Sequence, residues 1–376
     1  MAPQVPFAPF LLVTLMLLSI AACPAAAWWS KGHMAVALIA QRHMDASLVE
    51  KGSLVAKVLS LSGPYPASPD MVQLAPWADD MKTVGLQTMS TWHFITTPYY
   101  PDKGFTLEFS PVQTVNVASV IPMLQSALQH TASNAEIVAH SLALLIHFMG
   151  DIHQPLHNVN LFSKTYPQGD LGGNTQTVTI DSKGTKMRLH AYWDSAAEGK
   201  AGEDKPRPLN QADYEDLNRF VDYLEATYAS TLKSAEINLL KTTTISRESY
   251  DLAVKHAYPG AENGATLSAE YKKNAKTISE RQLLLAGYRL AKMLNTTLKP
   301  LSATKILQGL ENVEGEVVAG KVENHYEQKG LSVGMTAGIA VALFVVGMLT
   351  AVLVVFALRH CWKQDDHLGD YAHVHV

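Results

Sequence analysis

The sequence predicts a mainly α-helical single domain with one small β-hairpin, followed by one C-terminal transmembrane helix. Three observations lead there. Apolar residues recur at three- and four-residue spacing through most of the first 300 positions, which is the period of a helix face. Strand-like alternation is confined to one short stretch bounded by turn residues. Leu331 to Leu358 is a run of 28 residues without a charge.

The elements follow in chain order. Phe10 to Ala22 is almost wholly apolar and Ala25-Ala26-Ala27 follows, so residues 1–27 are expected to be a signal peptide, although no Lys or Arg precedes the apolar run. Cleavage after Ala27 would make Trp28 the new N-terminus. Helical spacing covers Met34 to Met44, Leu48 to Leu61, Val117 to Leu128, Ile137 to Met149, Tyr214 to Leu232 and Ile278 to Leu298. The hairpin is expected from Gln176–Ile180 and Met187–Leu189 across Asp181-Ser182-Lys183-Gly184, with Val178 and Ile180 on one face. Pro and Gly mark loops at Gly63–Pro69, Pro98–Gly104 and Tyr166–Gly173. The folded domain is expected to span 28–298, a polar stalk 299–330, the transmembrane helix 331–358 and a cytoplasmic tail 359–376.

At about 1.5 Å per residue the 28-residue run measures about 42 Å, more than the roughly 30 Å of a bilayer's hydrocarbon core, so it can span with tilt. With a cleaved signal before it, the domain would lie outside the cell or in the lumen, as a single-pass type I protein at the cell surface or in endomembranes. The two cysteines, Cys23 and Cys361, fall outside the 303 residues from Trp28 to Gly330. An exported domain without disulfides must be held by its core or by metals. Cys361 would lie at the inner membrane face, placed for acylation. Asn295-Thr296-Thr297 is a glycosylation sequon.

Composition excludes two classes. At 47% hydrophobic and 17% charged residues the chain is too apolar for disorder. A net charge of −4 gives no global basic field for coating nucleic acid, so any such chemistry must be local, with metal ions able to supply positive charge.

The chemistry concentrates in Ile146 to Asn158, IHFMGDIHQPLHN. His147 and Asp151 are four apart and share a helix face, Pro155 ends the helix, and His157 follows on the turn. LHAYWD repeats the spacing with His190 and Asp194. Earlier stand Trp77-Ala78-Asp79, Trp92-His93-Phe94 and Trp28-Trp29-Ser30-Lys31-Gly32-His33. Imidazole nitrogen and carboxylate oxygen are zinc donors. The apolar stretch Leu142–Ile146 would carry His147 into the interior, where a metal satisfies both it and a neighbouring carboxylate.

In this order and spacing, WxxxGH, WAD, WHF, HFMGDIHQPLH, GDLGGN and LHAYWD resemble the zinc-dependent S1/P1, or class I, nucleases. The motifs run from Trp28 to Asp194, and the helix pattern continues to about Leu298. The C-terminal anchor further resembles the surface 3′-nucleotidase/nucleases of trypanosomatid parasites; the anchor and the missing disulfides depart from secreted fungal and plant members. The resemblance implies three zinc ions per chain. Asp79, His93, His147 and Asp151 match the ligands of one; Asp151 also matches the bridge to a second, completed by His33 and the amine and carbonyl of Trp28; His157, His190 and Asp194 match those of the third. Signal cleavage would then build the site, since only a free Trp28 amine can ligate. The chemistry implied is a metal-activated water attacking phosphorus in line, with Asp79, Asp151 and Lys82 as the groups that carry it. Lys82 would steady the phosphate oxygens, Phe94 matches a base-stacking position and Asn174 a base-contacting one.

The expected substrates are single-stranded RNA or DNA and 3′-nucleotides, with no protein partner. Two other readings stand beside this one: a zinc phospholipase C-like phosphodiesterase, and a non-catalytic adhesion ectodomain. Of the remaining histidines, His140 is expected in the core or behind the ligands. His153 is expected to hold a ligand carboxylate, and His43, His130, His256 and His325 to be structural or solvated.

Overall fold

The computed structural model describes residues 28–62, 70–83, 85, 87–107, 111–130, 133–195, 206–302 and 306–307. The chain divides into Met1–Val313 and Glu314–Val376, and all described residues belong to the first unit. No helix among them is long and apolar enough to cross a membrane. The expected signal peptide and membrane span lie outside the described residues.

The architecture is helical, as the spacing predicts. Helix α1 (Ser30–Arg42) is buried along most of its length, without a break from Gly32 through Ala40. A helix apolar on nearly every side belongs inside a bundle. Around it pack α6 (Ala135–Asp151), α8 (Gln211–Tyr228) and the long α11 (Ala269–Thr297), while α2 (Ala46–Ser62) packs on α6, and together they form the larger core. Between them in sequence lie α3 (Met71–Leu74), α4 (Trp77–Thr83), α5 (Val117–Gln129), α7 (Leu189–Ser195), α9 (Ser234–Ile237) and α10 (Thr242–Leu252).

Local chemistry sets the ends. Asp70 caps α3 by accepting from the Val72 and Gln73 amides, and Asn116 caps α5 in a reciprocal box with Ser119. Asn134, Asn210 and Ser268 each accept one amide to cap α6, α8 and α11. The hairpin forms as β3 (Thr177–Thr179) against β4 (Lys186–Arg188), antiparallel, with Val178 buried in a second, smaller core beside Leu189, Trp193 and Tyr258.

Several elements were not legible from periodicity. A parallel pair, β1 (Pro98–Tyr99) with β2 (Asn160–Leu161), lies partly within an expected loop. At two residues each, these strands are too short to alternate. The short α3 and α4 have the same excuse. Helix α10, TTTISRESYDL, buries only Thr242, Ile245, Ser246 and Ser249, so its inner face is mostly hydroxyls. Helix α11 begins at Ala269 rather than near Ile278, because its first turns carry Glu270, Lys272, Lys273 and Lys276 and bury only Tyr271 and Ala275. Helix α8 stops at Tyr228, and a 3-10 turn, Ala229–Thr231, takes up the rest of the expected stretch.

The crossing of α1 and α11 is close because of Gly287. A Cβ there would lie 2.5 Å from Ile39 Cβ and 3.1 Å from the Val36 carbonyl oxygen. Gly287→Val should therefore destabilise the domain by about 1–3 kcal/mol, the usual range for overpacking a core. Urea unfolding followed by circular dichroism would show the lowered midpoint; an unchanged midpoint would mean that the two helices separate without cost.

Candidate metal centre

Six segments bring the predicted donors together. His33 rides on α1, Asp79 opens α4, and His93 ends the 3-10 helix Gln87–His93. His147 and Asp151 lie one turn apart on α6; His157 sits in the 3-10 helix Pro155–Asn158, and His190 and Asp194 share a face of α7. Three donor groups result: His33, His147 and Asp151; Asp79, His93 and His147; His157, His190 and Asp194. All are buried except Asp79, which is partly exposed.

Asp151 is the hub. Its Oδ2 lies 2.9 Å from His93 Nδ1 and 3.4 Å from His147 Nε2; its Oδ1 lies 3.4 Å from His33 Nε2 and 3.9 Å from His157 Nδ1. None of these approaches has hydrogen-bond geometry: among the described residues neither Asp151 oxygen and neither His33 nitrogen has a hydrogen-bonding partner. Buried polar atoms left in this way cost free energy unless something else satisfies them.

The imidazole orientations identify what would. His147 Nδ1–H donates to the Ala75 carbonyl at 2.8 Å, His157 Nδ1–H to that of His93 at 2.8 Å, and His190 Nδ1–H to that of Gly172 at 2.7 Å. A carbonyl only accepts, so each neutral ring must carry its proton on Nδ1 and present a lone pair at Nε2. Yet Nε2 of His157 and Nε2 of His190 face each other at 3.1 Å, with no proton to share. A cation between them resolves the repulsion. The spacing also suits zinc: bonds of about 2.0–2.1 Å in a tetrahedron put neighbouring donors about 3.4 Å apart. The separations of His190 Nε2 from Asp194 Oδ2, and of Asp79 Oδ1 from His93 Nδ1 and His147 Nε2, are each 3.6 Å.

Burial keeps the histidines in the form a metal needs. It pushes His147 down to about 3 and His190 to about 4, and it holds His33, His93 and His157 well below the ordinary imidazole value. Lys82 and neighbouring histidines add to the effect on His33 and His93. Burial, then the Asp79 charge, raises the Asp151 carboxyl. A bound dication would reverse that last shift.

The other predicted residues are placed as follows. Trp28 is fully buried, and its indole N–H donates to the Gly150 carbonyl at 2.9 Å, one residue before Asp151. Gly150 is required by this approach: a Cβ there would lie 2.7 Å from His33 Nδ1. Lys82 is buried with its ammonium 2.5 Å from Asp79 Oδ1. Phe94 follows His93 and is half-buried. Asn174 donates from Nδ2 to the Leu171 carbonyl at 3.0 Å, in the loop that holds His190. Asn295 lies in the last turns of α11, partly buried, accepting the Asp45 amide at 3.0 Å.

Two expectations are corrected. His140 is exposed at the solvent edge of α6, its ring against the edge of Trp77, because the helix turns that position away from the core. His153 touches no ligand carboxylate: its Nδ1–H donates to the Met149 carbonyl, and its Nε2 accepts from the buried Arg289 at 3.0 Å. Burial and the Arg289 charge hold it down to about 3.

Asp170 is a site residue that the motif GDLGGN contained without revealing. Its carboxylate accepts from the amides of Leu161, Gly172 and Gly173, from Gln176 Nε2 and from Tyr258 OH. This folds Gly172 so that its carbonyl meets His190. Between Asp170 and Gly172, Leu171 is held at φ 56° with the residue 53% exposed, a strained position that packing does not explain.

These titrations set a sign for stability. The six buried histidines at 33, 93, 147, 153, 157 and 190 have folded pKa values below the unfolded 6.5 or so, so the unfolded chain binds more protons as pH falls. Their contribution is present above about pH 6.5 and is lost toward pH 4 and 3. Asp151 and Asp170, raised by burial, oppose it but are fewer. Metal-free protein should thus lose melting temperature between pH 7 and 5. A flat or rising profile by scanning calorimetry would show that these rings are not held neutral.

Comparison with known proteins agrees with this geometry. The family model described as S1/P1 Nuclease matches residues 28–299. Endonuclease 3 of Arabidopsis thaliana is 29% identical over 299 residues, covering 76% of this chain and 93% of that protein. Endonuclease 1 of the same plant is 30% identical over 283 residues, 71% and 86% of the two chains. Nuclease S1 of Aspergillus oryzae is 26% identical over 292 residues, 71% and 91%. With donors for three metal ions assembled on that matched stretch, the chain belongs to the S1/P1 nuclease family, hydrolases of nucleic-acid phosphodiester bonds that use three zinc ions.

Proposed function

We propose that this chain is a membrane-anchored 3′-nucleotidase as well as a single-strand nuclease. It would hydrolyse 3′-nucleotides to nucleoside and phosphate, and single-stranded RNA or DNA to 5′-phosphorylated products. The supporting observation is that the nine predicted donor residues include eight whose side chains converge about Asp151 and Asp194, with the ninth, Trp28, anchored beside Asp151 at Gly150.

In this reading His33, Asp151 and the Trp28 amine hold one zinc ion; Asp79, His93, His147 and Asp151 hold another; His157, His190 and Asp194 hold the third. When bound, the three ions supply an activated water for in-line attack on phosphorus and positive charge against the leaving 3′-oxygen. The protein supplies the rest. The backbone carbonyls on His147, His157 and His190 fix the rings. Lys82, buried beside Asp79, places an ammonium where phosphate oxygens would sit. Phe94 offers a ring for base stacking, and Asn174 and the exposed Leu171 flank the third group as base contacts. Donors this deeply buried favour a splayed, unpaired nucleotide over stacked duplex.

The chain's ends complete the proposal. Residues 1–27 are removed, so that Trp28 gains its amine, and residues 331–358 anchor the 28–298 domain at the surface through the stalk. The tail 359–376 lies inside, and Asn295 carries a glycan.

The test is hydrolysis by protein spanning Trp28–Gly330 with a native N-terminus. Release of phosphate from 3′-AMP and cleavage of single-stranded DNA and RNA, without cleavage of phosphatidylcholine, are the expected results. Phosphatidylcholine cleavage alone would favour the phospholipase reading, and inert zinc-loaded protein the adhesion reading. Asp151→Asn should lower turnover by roughly a thousandfold, the several kcal/mol that metal-ion catalysis contributes. His153→Ala should instead lower the melting temperature, since it takes the buried acceptor from Arg289 Nη1, and leave turnover of folded protein within about tenfold. Equal loss of turnover in both variants would mean that these roles are misassigned.

A further inference from the structure

Gln154 stands between the two halves of the metal centre, three residues after Asp151 and three before His157. It is fully buried. Its amide N–H donates to the Asp151 carbonyl at 3.0 Å, and its own carbonyl accepts from Asn158 Nδ2 at 2.9 Å. The backbone is therefore fixed on both sides. So is the side chain: Oε1 accepts the Leu156 amide, and Nε2–H donates to Asp194 Oδ1 at 2.5 Å. The Leu156 amide can only donate, so it must face Oε1, and Nε2 must face Asp194. No exchange of the two amide ends is compatible with both bonds.

The consequence falls on Asp194. Of its two oxygens, Oδ1 carries the bond from Gln154, while Oδ2 lies 3.6 Å from His190 Nε2. Oδ1 is 4.0 Å from His157 Nε2. We propose that Gln154 is a positioning residue that holds Asp194 Oδ1 by a hydrogen bond, so that Asp194 ligates the third zinc through Oδ2 alone and leaves that metal a coordination position for a substrate oxygen. This rests on the reading of His157, His190 and Asp194 as one zinc's ligands.

The residue type suits the task. A neutral amide donates without cancelling the carboxylate's charge, as Lys or Arg would. Glutamate in its place would set two carboxylates against each other. Because its own N–H is bonded to the Asp151 backbone carbonyl, the residue that holds Asp194 is fixed to the end of the helix that carries Asp151. Open catalytic zinc sites keep a vacant position, and partners behind the ligands commonly set metal affinity by 10–100-fold.

Two uncharged variants test this. Gln154→Met keeps the length but removes both the donor to Asp194 and the acceptor of the Leu156 amide; Gln154→Asn keeps the amide but is one carbon short. Zinc stoichiometry and competition with a chelator would be measured on the mature wild type, both variants and His190→Ala, with melting of the metal-free proteins as the check on folding. The wild type should hold three zinc ions and His190→Ala two. Both Gln154 variants should bind the third ion about 10–100-fold more weakly and the other two unchanged, with kcat for 3′-AMP falling more than KM rises. Should Gln154→Met misfold, Gln154→Asn, with its smaller change, decides. Third-site affinity within twofold of wild type in the folded variants overturns the role of Gln154 alone. Retention of three ions by His190→Ala overturns the third-site reading, and the Gln154 proposal with it.

Discussion

A carboxylate without a hydrogen bond sits at the middle of this fold. Asp151 is fully buried, and no donor among the described residues satisfies either of its oxygens; nitrogens of His33, His93 and His147 approach instead. Left like this, the group would be a large desolvation cost. Three of the surrounding rings, His147, His157 and His190, cannot relieve it, because their Nδ1 protons go to backbone carbonyls and their Nε2 lone pairs are left for the interior. Negative charge and lone pairs are concentrated in one buried volume, and only cations complete it. The helices that converge there do so in service of that arrangement: α1 delivers His33, α6 passes it at a glycine, and α7 brings the last pair.

Much of this was legible in the sequence because helical spacing constrains donors tightly. His147 with Asp151, and His190 with Asp194, could be paired from their four-residue separation, and both pairs lie on single helix faces. The apolar run before His147 correctly implied an interior position. The six long helices were legible for the same reason, within a turn or two at their ends. The exceptions have physical causes. The early turns of α11 are solvated, and the inner face of α10 is built of hydroxyls, so neither carries an apolar period.

What was not legible is the support behind the donors. Asp170 organises a loop through five hydrogen bonds, Gln154 reaches Asp194 forty positions away, and His153 turns to Arg289 rather than to a carboxylate. These contacts join residues distant in sequence, and hydrogen-bonding capacity alone does not choose among partners. The left-handed backbone at Leu171 is similarly invisible, since leucine gives no hint of a positive φ. Each of these lies one contact beyond the groups that the motifs identify.

The central claim is that the buried lone pairs and carboxylates form three cation sites, two sharing Asp151. Anomalous diffraction at the zinc edge, from crystals of protein that begins at Trp28, tests it most directly. Three peaks are predicted: two flanking the Asp151 carboxylate, and one among His157, His190 and Asp194. A single peak, or peaks remote from Asp151, would contradict the account.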